Sequence, residues 1–202
     1  MKIYPVTRAN KEHWCRRCGK IIKKGDPYKY TESRFRPKIT HCNTCGFRSS
    51  ELTTSETLIQ VYETQEGLED VLATLKNVTP DNAEEAKDLL QGIYDALEGA
   101  ASSIQDVSDE LGDKISNMEE YFQGAPQLDE MQERQDALEE WRTELEDAMS
   151  DVSSAQYEME DEESEEDDDE EEDKLLELSP TSKDSFDEAI DKVEEATSSL
   201  SL

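Results

Sequence analysis

Cys15-Arg16-Arg17-Cys18-Gly19-Lys20 and Cys42-Asn43-Thr44-Cys45-Gly46-Phe47 repeat one pattern, C-x-x-C-G, separated by the twenty-three residues from Gly19 to His41. A two-residue gap lets both thiolates of a pair reach one metal ion, and a glycine after the second cysteine supplies the left-handed conformation that closes the turn. Two such turns complete a tetrahedral site, so Cys15, Cys18, Cys42 and Cys45 are the expected ligands of a structural Zn2+. Two disulfides or free buried thiols are the alternatives. The start Met1-Lys2-Ile3-Tyr4-Pro5-Val6-Thr7-Arg8 has no apolar signal segment, which points to a reducing compartment and against disulfides.

Four thiolates leave no open position for a catalytic water, and a redox C-x-x-C would sit in a βαβ pattern that is missing here. His13 and His41 stand close enough to the cysteines to replace one as ligand; otherwise they read as surface residues. Between the knuckles, Lys23-Lys24-Gly25-Asp26 reads as a tight turn. Short edge-like strands follow around Tyr28 to Thr31 and Lys38 to His41, limited by Pro27 and Pro37. So small a head has too little apolar surface to fold alone, and the metal supplies on the order of 10 kcal/mol of its folding free energy. The metal-free head is expected to be disordered.

Charge divides the chain in the same place. Of 202 residues, 52 are acidic and 21 basic, for a formal net charge of -31. Residues 1 to 50 nevertheless sum to +10, and residues 51 to 202 to -41. The shift near Ser49-Ser50 marks the end of a basic head, 1–50. The basic residues have two competing explanations, one being that Arg16, Arg17 and Lys20 simply balance the formal -2 of a zinc with four thiolates. The loaded head still carries a surplus, with Trp14, Tyr28, Tyr30, Phe35 and Phe47 interleaved among its cations. Arg16, Arg17, Lys23, Lys24, Lys29, Arg34 and Arg36 are accordingly the candidates for phosphate contact. The competing reading makes the aromatics, Trp14 and Phe47 above all, a mini-core around the metal.

Residues 51–159 read as helical. Thr53-Thr54-Ser55-Glu56 is a capping-box pattern, and Leu58, Val61, Leu68, Leu72 and Leu75 follow at helical spacing up to the break at Asn77-Val78-Thr79-Pro80. Thr79 with Pro80 starts a second helix along Leu90, Ile93, Leu97, Ala100, Ile104, Val107 and Leu111, continued by Ile115, Met118 and Phe122. Gln123-Gly124-Ala125-Pro126 ends it. A third run places Leu128, Met131, Leu138, Leu145, Met149, Val152 and Met159 on one face, with Gln135, Arg142 and Gln156 at related heptad positions. The fold class is therefore mostly α: a small zinc ribbon, then a long antiparallel helical hairpin or three-helix bundle, with the stripe read as core or assembly surface. Gly92, Gly99 and Gly112 each cost about 1 kcal/mol relative to Ala inside a helix.

From Glu160 to Asp173, thirteen of fourteen residues are Asp or Glu. Residues 160–182 read as a disordered acidic linker, solubilising or else a nucleic-acid mimic or partner of the basic head. In 183–202, the capping box Ser185-Phe186-Asp187-Glu188 starts a short helix with Phe186, Ile190, Val193 and Leu200 on one face, which docks on the rod or on a partner. No apolar run is long enough for a membrane span, and the chain is expected in the cytoplasm, or the host cytoplasm if it is viral.

The segment Cys15-Arg16-Arg17-Cys18-Gly19-Lys20-Ile21-Ile22-Lys23-Lys24-Gly25-Asp26 resembles the zinc-ribbon and PARP-like finger group, with Cys42 where the PARP-type finger has His. The resemblance implies the ligand roles of the four cysteines and no DNA-break recognition. The layout as a whole, a basic ribbon ahead of an acidic hairpin containing Glu139-Glu140-Trp141-Arg142-Thr143-Glu144-Leu145-Glu146, resembles uncharacterised zinc-ribbon and coiled-coil proteins of bacteriophages and bacteria, which implies no activity. The functional expectation is a non-enzymatic, zinc-stabilised interaction or assembly protein that binds a protein partner and can self-associate through its helices. The alternatives are a nucleic-acid-binding regulator restrained by its acidic tail, and an acidic DNA mimic.

Overall fold

The structure is a computed structural model that describes residues 1–34, 36–122, 124–165 and 178–200, with side chains omitted over 160–165. The chain is mostly helical. It divides into two compact units, Met1–Glu63 and Thr64–Leu202.

In the first unit, strands β1 (Ile3–Val6), β4 (Tyr28–Ser33) and β5 (Arg36–Cys42) form an antiparallel sheet in the order β1-β4-β5, and β2 (His13–Trp14) pairs with β3 (Ile21–Ile22). β4 and β5 extend the two strands legible in the sequence; β1, β2 and β3 are additional. The turn at Lys23 to Asp26 is present, with Gly25 at φ +100° and the Asp26 amide donating to the Lys23 carbonyl at 3.0 Å. Helix α1 (Ser49–Leu52) and the first eight residues of α2 (Glu56–Leu75) belong to this unit, whereas the composition shift stands at Ser49-Ser50. Side-chain bonds explain the later boundary. Arg36 donates to the carbonyls of Ser50 (2.8 Å) and Thr53 (3.0 Å), and the Met1 amine donates to the Leu52 carbonyl.

The second unit contains the rest of α2, α3 (Ala83–Tyr121), α4 (Pro126–Glu165) and α5 (Pro180–Ser198). Thirty-nine residues make α3 about 58 Å long. It starts three residues after Pro80, because Asn82 accepts from the Glu85 amide at 2.9 Å while Glu85 accepts from the Asp81 amide at 2.8 Å. This reciprocal cap outcompetes Thr79. Ser55, not Thr53, caps α2 through the Leu58 amide at 3.4 Å.

In the expected connection Gly124 has φ +78° and α4 starts at Pro126, Gln123 lying outside the described residues, and α3 and α4 pack antiparallel. Gln135 donates to the Ser108 carbonyl (3.3 Å) and Ser108 to Glu139 (3.4 Å), while Gln156 reaches Gln91 (3.3 Å) at the other end. Burial follows Ala86, Leu90, Ile93, Leu97, Ala100, Ile104, Val107, Leu111 and Ile115 on α3, as the spacing predicts. Phe122 departs from the stripe and is exposed beside Tyr121. On α4 the buried positions with described side chains are Leu128, Leu138, Trp141, Leu145, Ala148, Val152, Ala155 and Met159. Trp141 and Ala148 therefore replace Arg142 and Met149 at the seam. Gly112 has a packing reason, since a Cβ there would lie 2.8 Å from the Gln135 amide nitrogen; Gly92 and Gly99 have none within 4 Å.

Helix α5 begins at Pro180 with Ser179 as cap, accepting from the Ser182 amide at 3.1 Å, six residues ahead of the expected cap Ser185. Ser185 instead donates to Glu158 at 2.6 Å. The docking of this helix on the rod is observed. Trp141 Nε1 donates to the Ala196 carbonyl at 2.8 Å, and Phe186, Ala189, Ile190 and Val193 are buried. Leu200 is half-buried. Contacts of Thr64 with Ser103 (3.1 Å), Gln65 with Thr197 (3.2 Å) and Lys76 with Glu194 bring α2 against α3 and α5. The bundle thus has four helices among the described residues. Helix α4 continues through Glu165, six residues into the segment expected to be a disordered linker. The expectation for 166–177, like that for Phe35, lies outside the described residues.

Candidate metal centre

Cys15 directly follows β2, and its amide donates to the Lys20 carbonyl while the Gly19 amide donates to the Cys15 carbonyl, both at 2.9 Å. Gly19 has φ +68° and closes the turn as its position requires. Cys42 is the last residue of β5, and the Arg16 amide donates to the Thr40 carbonyl at 2.9 Å, tying the first knuckle to that strand. Gly46 does not have positive φ. The second knuckle closes differently, through a histidine.

The four sulfurs lie within 4.8 Å of one another, with Cys18 and Cys42 at 3.9 Å and Cys42 and Cys45 at 3.4 Å. Tetrahedral ligands 2.3 Å from a metal stand about 3.8 Å apart, so the donor set has both the number and the spacing of a tetrathiolate site. All four are free cysteines. Cys15 is 1% exposed and packs with Ala9, Ile22, Tyr28 and Cys42 in the core of the head, whereas Cys18 is exposed. Thr44, donating to the Cys42 sulfur at 3.1 Å, is the main reason that this thiol is held down at about 6. Cys45, facing Cys42 and Cys18, is pushed up to about 12. Burial pushes Cys15 up, but amide donors of Cys18 and Cys42 outweigh it and leave its pKa lowered. Clustered sulfurs that cannot all ionise alone are what a divalent cation relieves.

Neither histidine joins the described cluster of four sulfurs. His41 is fully buried, which corrects its reading as a surface residue. Its Nδ1 donates to the Gly46 carbonyl at 2.7 Å, its Nε2 meets Glu51 Oε1 at 3.0 Å, and its ring stacks on Phe47 with centroids 4.4 Å apart. Glu51 Oε2 also accepts from the Arg48 amide at 2.9 Å. His41 thus fixes the loop bearing Cys45 to α1. Its place in the alternation of β5, two residues after buried Ile39, was the available sequence signal. The His13 ring meets Tyr28 in a tilted contact with centroids 4.9 Å apart, and partial burial first, then Lys11 and Lys38, lower its pKa.

Comparison with protein-family models, with curated proteins and with solved structures found no match. The site is therefore read from its own residues.

Among the phosphate candidates, Arg16, Arg17, Lys23, Lys24 and Arg34 are exposed and Lys29 is half-buried. Arg36 is committed to the Ser50 and Thr53 carbonyls. Trp14, expected in the mini-core, is 68% exposed beside its cross-strand partner Ile21 at 43%. Tyr28 belongs to the core, and Tyr30 stacks on Tyr4 at 5.2 Å with the Lys38 ammonium 3.4 Å from its ring centroid. No described helix is long and apolar enough to cross a membrane.

Proposed function

We propose that the chain is a non-enzymatic interaction protein whose head is a zinc ribbon. Cys15, Cys18, Cys42 and Cys45 would hold Zn2+, which when bound supplies a cross-link between the knuckles. The observation that carries the reading is the closed set of four sulfurs within 4.8 Å of one another. Such a set satisfies tetrahedral zinc and leaves no position for a reacting water. With the cross-link in place, the head presents a rigid surface to a partner, and the bundle of α2 to α5 provides the scaffold. Native mass spectrometry of protein purified with zinc should give one zinc per chain, lost in Cys15→Ser and Cys42→Ser. A metal-free but folded head would sink the reading.

A second reading, in which the partner is a nucleic acid, is favoured by Trp14, exposed on the same hairpin that carries Arg16, Arg17 and Lys20. Apolar surface of that size beside cations matches a ligand with both flat rings and negative charge. Fluorescence anisotropy with labelled DNA and RNA at two salt concentrations separates it from a purely protein-binding role, since phosphate contacts weaken as salt rises.

A further inference from the structure

We infer that the outer face of the β2–β3 hairpin is a single-strand nucleic-acid site, in which an unpaired base stacks on Trp14 and neighbouring phosphates meet Arg16, Arg17 and Lys20. The inference rests on the zinc-ribbon reading, because Cys15 and Cys18 set the hairpin's geometry.

The register pairs His13 with Ile22 and Trp14 with Ile21. Side chains alternate across a strand, so the two pairs face opposite ways. Ile22 is 3% exposed in the head's core and the His13 ring lies against Tyr28, tilted, with centroids 4.9 Å apart, which fixes the inner face. Trp14 and Ile21 consequently form an apolar pair on the outside. A tryptophan left two-thirds in water keeps most of its apolar area unburied, and that area is regained when a planar ligand covers it.

The surrounding charge selects the ligand. Arg16, Arg17 and Lys20 lie in the turn between the paired strands and Lys23 and Lys24 directly after them, all exposed. The nearest acids in sequence are Glu12, at the start of the hairpin, and Asp26, whose carboxylate accepts from the Lys23 amide at 3.0 Å. A cationic turn around an indole suits a polyanion with π-faces. An acidic peptide would meet the arginines but leave the flat indole without a matched group, and duplex bases are already stacked on one another. Single strands satisfy both halves of the site.

The test uses the full chain loaded with zinc, with its zinc content measured on every sample. Labelled oligo-dT and oligo-U, a duplex of equal length and poly-glutamate are titrated by anisotropy at low and moderate salt. The single strands should bind most tightly. Trp14→Ala should weaken them roughly 5- to 150-fold, the range for losing one base stack, while Trp14→Phe keeps most of the affinity. Arg16→Ala with Arg17→Ala should flatten the salt dependence. Equal binding by Trp14→Ala and the parent overturns the site, as does duplex or poly-glutamate binding as tight as single strands, or no single-strand binding by zinc-loaded protein. Failure to take up zinc overturns the ribbon reading and this site together.

Discussion

Replacing His41 by alanine should cost the head about a hundred-fold in zinc affinity although His41 is not among the four clustered cysteines. The side chain is 0% exposed and makes two polar contacts, to the Gly46 carbonyl and to Glu51. Each hydrogen bond is worth about 0.5–1.5 kcal/mol net. The stacked contact with Phe47 adds about 0.5–1.5 kcal/mol. Glu51 is 17% exposed and water takes over part of its bond, so His41→Ala should cost about 3 kcal/mol in all. Where metal binding and folding are one event, that loss appears directly in the apparent affinity, tenfold for every 1.4 kcal/mol or so. His41→Phe keeps the stacking and loses the polar contacts, and should fall between. The assay is competition for zinc against a chromophoric chelator at neutral pH. If His41→Ala bound zinc within a few-fold of the parent protein, the idea that the buried imidazole holds the Cys45 loop in place would be refuted.

Four further outcomes are expected. Trp141→Ala removes the largest fully buried side chain and its bond to Ala196, so urea unfolding followed by helical circular dichroism should show a loss of about 3–5 kcal/mol. Chelating the metal should abolish the near-ultraviolet signal of the head's tyrosines and leave most helical signal intact; loss of both together would contradict independent support of the bundle. Arg36→Ala should destabilise the head by about 1–3 kcal/mol through its two carbonyl partners while leaving the salt dependence of any nucleic-acid binding unchanged. Gly92→Ala and Gly99→Ala should each raise bundle stability by about 1 kcal/mol, whereas Gly112→Ala should gain less, because its Cβ displaces Gln135 from the Ser108 carbonyl; thermal melts distinguish the three.

Features carried by a few residues in a row were the legible ones. The knuckles, the left-handed Gly19, the break at 77–80 and the turn at Gly124-Ala125 are local, and each is where its residues put it. On α3 the strong apolar residues leave one choice of face. On α4 two faces compete, since both 141 and 142 stand three or four residues from Leu138 and Leu145. Counting Met149 favoured the wrong one, because alanines at 148 and 155 look neutral in sequence yet are buried where helices approach closely. The starts of α3 and α5 shifted because several capping patterns lay within a few residues, and which one wins depends on packing further along. Least legible was the head beyond its cysteines. Short strands β1 to β3 carry no repeat long enough to show periodicity, and the burial of His41 depends on α1, whose Glu51 is ten residues away.

Alanines line the seam between α4 and α5, with Ala148 and Ala155 on one side and Ala189 and Ala196 on the other. Side chains this short leave the two backbones as the real neighbours. Bulkier residues there would wedge the helices apart and lift Ala196 away from the indole of Trp141. Evolution or an engineer therefore has almost no latitude in the girth of the bundle along this seam.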